Sequence, residues 1–296
     1  MTSRSSAIVS VLVRIAVAVF FCFPVLTYAQ DSGSLLWEIS GNHLKKKSYL
    51  FGTIHVFCPG DFAPGDSLKP RLLAADRLVL EMDMTDPELM QALMQGMMMK
   101  DGVTLRGLLS EPEYEKIDRF FTDSVGFSIA PLSGSKPFIL TSLLFGHVLQ
   151  CSPQSVEEQL TTLAEKNGIA VTGLETPQEQ AALFDLIPYR TQAEMVLRMI
   201  DSIHMAREEF TGLLDLYRSQ DIRKLYEYVS KSQFDFNGFE NFLLTDRNRK
   251  WVSRLEKLLP DASSFIAVGA AHLGGEEGLV QLLRSKGYTL SPVYNP

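Results

Sequence analysis

Residues 263–293 constrain the fold more than any other stretch of the chain. Residues 263–268 are apolar and strand-like, Gly274 and Gly275 punctuate a turn, and residues 276–286 have helical spacing. Gly287 stands at the left-handed C-cap position and residues 288–293 read as a last strand. A strand, helix, strand unit implies a parallel sheet with helices packed on its faces.

The remaining elements fit such a sheet. Residues 35–40 and 48–57 are strand-like on either side of a polar stretch and read as a hairpin. Residues 77–84 alternate as a third strand, which puts Glu81 and Asp83 on one face. Asp86-Pro87 then predicts an N-cap and the first position of a methionine-rich helix reaching Met98. Ser110 with Glu113, and Thr176 with Glu179, fit capping boxes at two further helix starts. Residues 169–174 form a short apolar run, so Glu175 marks the point where a strand gives way to a helix. Helical spacing returns over 191–217 and 239–259. The expected fold is α/β: a mixed, largely parallel sheet, an N-terminal hairpin, and a large helical insertion between Asp86 and Leu259.

Residues 1–29 read as a leader. Arg4 and Arg14 precede an apolar run over 15–26, and Thr27-Tyr28-Ala29 has small residues at the positions before cleavage. Residues 1–29 are therefore expected to be a signal peptide and 30–296 a single domain, exported to the periplasm or the extracellular space. Pro24 and Arg14 argue against a retained membrane helix, so no stable span is expected after cleavage. The chain carries a formal charge of -7 and no basic stripe, which argues against nucleic acid as a partner. Cys58 and Cys151 remain after cleavage; they either bridge in an oxidising compartment or are two small buried hydrophobes.

Of five histidines, two end the same pattern, Gly52-Thr53-Ile54-His55 and Gly269-Ala270-Ala271-His272, each after an apolar strand. Strand C-terminal ends of a parallel sheet meet in the crevice where such folds bind ligands. Two imidazoles and Glu81 there make a set suited to a divalent metal with open positions. His43, His147 and His204 lack that context and are assigned to structure or solvent. Arg247, four residues from Leu243 and from Trp251, falls on the inward side of its helix and needs an anionic partner, Glu81, Asp83 or Glu175.

The segments LLWEIS, YLFGTIHV, LVLEMDM, GLETPQEQ, DRNRKW and VGAAHLGGEEGLVQLLRSKGY, in that order, resemble the TraB/GumN family, with its TIKI-like and more distant erythromycin-esterase-like relatives. The resemblance implies a site of His55, Glu81, Arg247 and His272, with Asp83, Glu175 and Asn248 close by. It departs at Ser155-Val156-Glu157, where the family carries a Gly-x-Asp motif.

What the resemblance implies is a metal-dependent hydrolase cleaving a peptide or similar amide. His55, Glu81 and His272 would hold manganese or cobalt, or else zinc. Glu81 would either ligate or act as general base, and Arg247 would stabilise the oxyanion. Two alternatives stand beside it. One is a metal-free esterase in which His55 activates water and Glu81 orients the ring. The other is a protein that binds peptides without cleaving them.

Overall fold

The computed structural model describes residues 33–61, 67–232, 238–239 and 241–293. The expected leader over 1–29 lies outside them.

Six strands, β1 (Leu36–Gly41), β2 (Ser48–Thr53), β3 (Arg77–Met82), β4 (Ala170–Glu175), β5 (Ser264–Gly269) and β6 (Tyr288–Val293), form one sheet in the order β4-β3-β5-β2-β1-β6. β2, β5, β3 and β4 are parallel neighbours, and β1 runs antiparallel to both β2 and β6. The sheet is thus mixed and largely parallel, as expected from the order of its elements. β1 and β2 form the expected hairpin, turned through Gly41, Asn42 and His43, which all have positive φ. His43 therefore serves the turn. The last unit departs from its expected layout. The helix Leu279–Ser285 leads from β5 to β6, but β6 lies on the far side of β1, because β2 and β3 already flank β5.

The central strands are buried on both faces, β5 from end to end, as parallel strands covered by helices must be. Phe51, Leu78, Phe265 and Ile266 fill this core, together with Trp251 and Leu255 from the helix Asp246–Leu258. A second core lies within the helical insertion, around Leu105, Ile117, Phe121, Leu140, Leu144 and Val196. β4 interrupts the insertion and returns to pair with β3.

Three helices differ from expectation. The methionine-rich helix spans only Leu89–Gly96; Asp86 accepts a bond from the Glu88 N–H at 2.8 Å in a local turn and does not cap it. The helix expected over 191–217 is two, Tyr189–Asp201 and Ile203–Ser219, broken at Ser202, whose φ of -126° and ψ of 36° leave the helical region. The stretch 239–259 is helical over Asp246–Leu258, after a π-helical turn at Asn241–Thr245. Both capping boxes form. Among the described residues no helix is long and apolar enough to cross a membrane.

Candidate active site

Four parallel strands end at one edge of the sheet, and each delivers a polar residue there. Glu81 is the penultimate residue of β3 and Glu175 the last of β4, where Glu175 pairs with Met82. His55 follows β2 by two residues, and His272 closes the turn Ala270–His272 after β5. Since β2, β5 and β3 are neighbours, the two histidines flank Glu81: His55 Nε2 and His272 Nε2 each lie 3.9 Å from Glu81 Oε1.

The glycines of the repeated pattern make this approach possible. A Cβ on Gly269 would stand 2.9 Å from His55 Nε2 and 3.4 Å from Glu81 Oε1, and its N–H donates to Glu81 Oε1 at 2.9 Å. A Cβ on Gly52 would meet the Cα and Cβ of Ala270 at 3.0 Å. One glycine thus admits the histidine, and the other lets the two strand-end turns pack together.

Arg247 is buried and reaches both strand-end carboxylates. Its Nε donates to Glu175 Oε1 at 3.0 Å, and its Nη2 to Glu81 Oε2 at 2.5 Å and Glu175 Oε2 at 3.0 Å. Nη1 donates to the Leu243 carbonyl at 3.2 Å and stands 3.2 Å from His272 Nε2. A guanidinium has five N–H groups, and all five are engaged. Arg247 therefore has no donor spare for a carbonyl oxygen, and its place is that of a clamp on Glu81, Glu175 and His272, not the oxyanion role expected from sequence.

Asn248 fixes the second imidazole. Its Nδ2 donates to the carbonyls of His272 and Glu277, at 3.2 and 2.8 Å, so its Oδ1 must be the atom 2.7 Å from His272 Nδ1. Nδ1 then carries the proton, and the unprotonated Nε2, on the side of Glu81, accepts from Arg247 Nη1. Burial, helped by Arg247 and His55 and opposed by Glu81, lowers the His272 pKa to about 3. The ring is neutral at ordinary pH. Trp251 lies against it, ring centroids 4.4 Å apart, and under the Arg247 guanidinium at 4.5 Å.

Glu157, in the stretch that departs from the family pattern, belongs to the site. Its Oε1 lies 3.0 Å from His55 Nδ1 and accepts from Thr53 Oγ1 at 2.6 Å; Ser155 Oγ donates to Oε2 at 3.0 Å. A disulfide joins Cys58 to Cys151, Cα atoms 5.8 Å apart, so the open question of pairing closes in favour of a bridge. Beside it the backbones of Phe57 and Gln154 exchange hydrogen bonds. The loop after His55 is thereby tied to the loop before Glu157. Confinement lowers the His55 pKa, while the hydrogen bond and charge of Glu157, with Glu81, outweigh it and lift the pKa to about 9. As 61% of the His55 side chain is open to solvent, the Glu157 contact sets that upward direction. For Glu81, burial favours the neutral form, but Arg247 and the histidines hold its carboxyl below the usual range.

Two expected neighbours fare differently. Glu175 and Asn248 are in the cluster. Asp83 is not: β3 stops at Met82, and the Asp83 carboxylate accepts from the N–H and hydroxyl of Thr85 at 2.9 and 2.7 Å. Gln180, one turn into the helix Pro177–Leu183, donates to Glu81 Oε2 at 3.3 Å, a role no sequence pattern announces. His147 contacts Arg207 and Phe120 in the helical layer, and His204 is exposed.

The donors fit a divalent ion in kind. Both imidazoles have Nδ1 against an oxygen and Nε2 turned toward one carboxylate, the orientation that metal-ligating histidines adopt. With neutral histidines, Glu81, Glu157 and Glu175 against Arg247 leave two excess negative charges. In spacing they are wide: tetrahedral ligands on bonds of about 2.1 Å stand roughly 3.4 Å apart. Among the described residues no group of three or more His, Cys, Asp or Glu stands in metal-holding geometry. The physical reason is the Arg247 guanidinium, which faces His272 Nε2 and takes Glu81 Oε2.

His55, Glu81, Glu157 and Arg247 form one corner of a cavity of about 630 Å³ whose other walls are mainly apolar, among them Met84, Phe145, Phe184 and Phe210. The TraB/PrgY/gumN family model matches residues 35–292, both strand-end histidines included.

The chain belongs to the TraB/PrgY/gumN family. It is similar to a protein named metalloprotease TIKI homolog from Nematostella vectensis, 21% identical over 90% of this chain and 68% of that one. It is similar also to metalloprotease TIKI2 of Danio rerio, 23% identical over 88% of this chain, and to metalloprotease TIKI1 of Homo sapiens, 24% identical over 87%. This TraB/PrgY/gumN chain spans 61% of the length of each of the latter two. No solved structure gives a significant match.

Proposed function

We propose that this chain is an exported, metal-dependent hydrolase acting on a peptide or similar amide. The observation that carries the reading is the convergence of His55 Nε2 and His272 Nε2 on Glu81 Oε1, in a cluster where three carboxylates, Glu81, Glu157 and Glu175, stand against one guanidinium. The names of its relatives point the same way. His55, Glu81 and His272 are the residues that would hold a divalent ion, manganese, cobalt or zinc. What such an ion supplies is Lewis acidity toward water and a carbonyl.

The protein's own groups prepare that site. Glu157 and Asn248 orient the two rings, and the glycines let them close. Arg247 keeps Glu81 ionised, so the carboxylate serves better as a fixed anionic ligand than as a proton acceptor. The substrate lies along the apolar walls of the cavity. Export agrees with the Cys58–Cys151 bridge, since disulfides persist in oxidising compartments.

The contact of Glu157 with a solvent-open His55 favours one second reading, a metal-free hydrolase in which that carboxylate and imidazole activate water toward an ester. Metal analysis of protein purified without chelator, then peptide and ester cleavage with and without EDTA, separates the two. Metal near one equivalent and EDTA-sensitive amide cleavage are expected. Chelator-insensitive ester cleavage would establish the second reading, and peptide binding without cleavage under any metal would end both.

A further inference from the structure

Beside the site cavity lies a smaller one of about 220 Å³. Phe138, Phe145, Phe210 and Leu213 line both, so these four side chains form the partition between them. Phe145 and Phe210 face each other with ring centroids 6.5 Å apart. Thr141 and Ala206 line the smaller cavity only, and Ala206 stands on the helix Ile203–Ser219 that also carries Phe210 and Leu213. His55, Glu81, Glu157 and Arg247 sit in one corner of the larger cavity, across the partition from this space; the lining of the smaller cavity is mainly apolar, with one carboxylate, Glu209, bonded there to Ser232.

The size of the side cavity is informative. An apolar space of about 150 Å³ lined by Leu, Ile and Phe accepts benzene, so one aromatic ring or a leucine-sized side chain fills 220 Å³. A substrate in the larger cavity has its reacting bond at the charged corner, and a neighbouring side chain pointing away from that corner meets the partition.

We propose that the cavity behind Phe138, Phe145, Phe210 and Leu213 is the specificity pocket of this site, taking one bulky apolar side chain, Phe-sized or Leu-sized, of a peptide substrate. This rests on the hydrolase reading, but its test does not depend on it alone. Phe145 and Phe210 border both spaces, while Thr141 and Ala206 border the smaller one alone, so a larger side chain at either takes up its room. That room selects among apolar side chains, because a surplus or missing methylene in such a pocket shifts discrimination by about 10- to 200-fold.

The experiment has two arms, each run with wild type, Ala206→Leu and Thr141→Leu, the second variant insuring against misfolding of the first. In one arm, mass spectrometry profiles cleavage sites in a mixed peptide library with manganese or cobalt added. In the other, calorimetry compares the heptapeptides Gly-Gly-Gly-Phe-Gly-Gly-Gly and Gly-Gly-Gly-Ala-Gly-Gly-Gly on protein as purified. Wild type is expected to cut beside Phe, Leu, Met or Tyr at least about tenfold more often than beside Gly or Ala, and to bind the Phe peptide more tightly. A filled pocket should erase both preferences.

Cleavage without side-chain preference, or a preference unchanged in both filled variants, overturns the pocket and leaves the hydrolase reading standing. Absent cleavage with a Phe preference in binding that the filled variants lose overturns the hydrolase reading and upholds the pocket. With neither cleavage nor preferential binding, both fall.

Discussion

Arg247 Nη2 donates to Glu81 Oε2 at 2.5 Å while the same guanidinium grips Glu175, so one side chain ties together the ends of two adjacent strands. Removing it strands two buried carboxylates. Arg247→Met should cost about 3 to 5 kcal/mol, the usual consequence of breaking a buried pair from one side. Urea denaturation will read this loss. Adding Glu81→Gln to Arg247→Met should recover part of it, because less uncompensated charge remains.

His272→Ala should lose bound metal, since it removes the neutral Nε2 donor. Glu81→Gln should lose it as well if Glu81 is the ligand argued for above. Retained metal with turnover reduced about 10²- to 10⁴-fold would instead identify Glu81 as the general base. Metal content and kcat measured on the same preparations separate these roles.

Gly269→Ala places a methyl group 2.9 Å from His55 Nε2. The ring must move away from Glu81, and activity should fall at least about tenfold through mispositioning alone. The rest of the buried strand is unaltered, so circular dichroism should show a folded protein. Full activity in this variant would remove the close approach of His55 from the mechanism.

The strand-end residues were legible because their pattern repeats: an apolar run, a glycine, then a histidine at a parallel strand's C-terminal end. Arg247 was legible from helical phase. Asp83 falls outside the cluster because the alternation in the sequence continues two residues past Met82, where β3 ends. Glu157 carries no local signal, because its contact with His55 spans 102 residues and depends on the paired loops beside the disulfide. The break at Ser202 has neither glycine nor proline to announce it. The position of β6 was not readable either, because strand order depends on which sheet edge is free.

The two imidazoles give the metal-free protein opposite responses to pH. His272 has its pKa lowered to about 3 from 6.5. Below about pH 6.5 the unfolded chain takes up a proton the folded one refuses, so stability is lost as pH falls toward 3. His55 is raised to about 9, so its contribution is complete below 6.5 and is lost as pH rises through 9. Urea midpoints measured in EDTA should therefore peak near pH 6 to 7 and decline on both sides, and excess manganese should flatten the alkaline limb.

Replacing Cys58 and Cys151 together by serine opens a loop closed over 93 residues and should cost about 2 to 5 kcal/mol. A larger fall in activity than in melting temperature is expected at a temperature where the variant is still folded, since the bridge borders the His55 and Glu157 loops. Equal kinetics at that temperature would show that the Phe57 and Gln154 backbone pair holds the loops unaided.

β6 carries a timing consequence. It lies along β1, with Leu36 opposite Val293 and Ser34 Oγ bonded to the Val293 carbonyl at 2.8 Å. A chain threaded through a membrane N-terminus first delivers β1 early and β6 last, leaving one sheet edge bare throughout transit. Unpaired edges invite pairing with other chains. On the export route proposed above, the vulnerable interval closes only when β6 arrives.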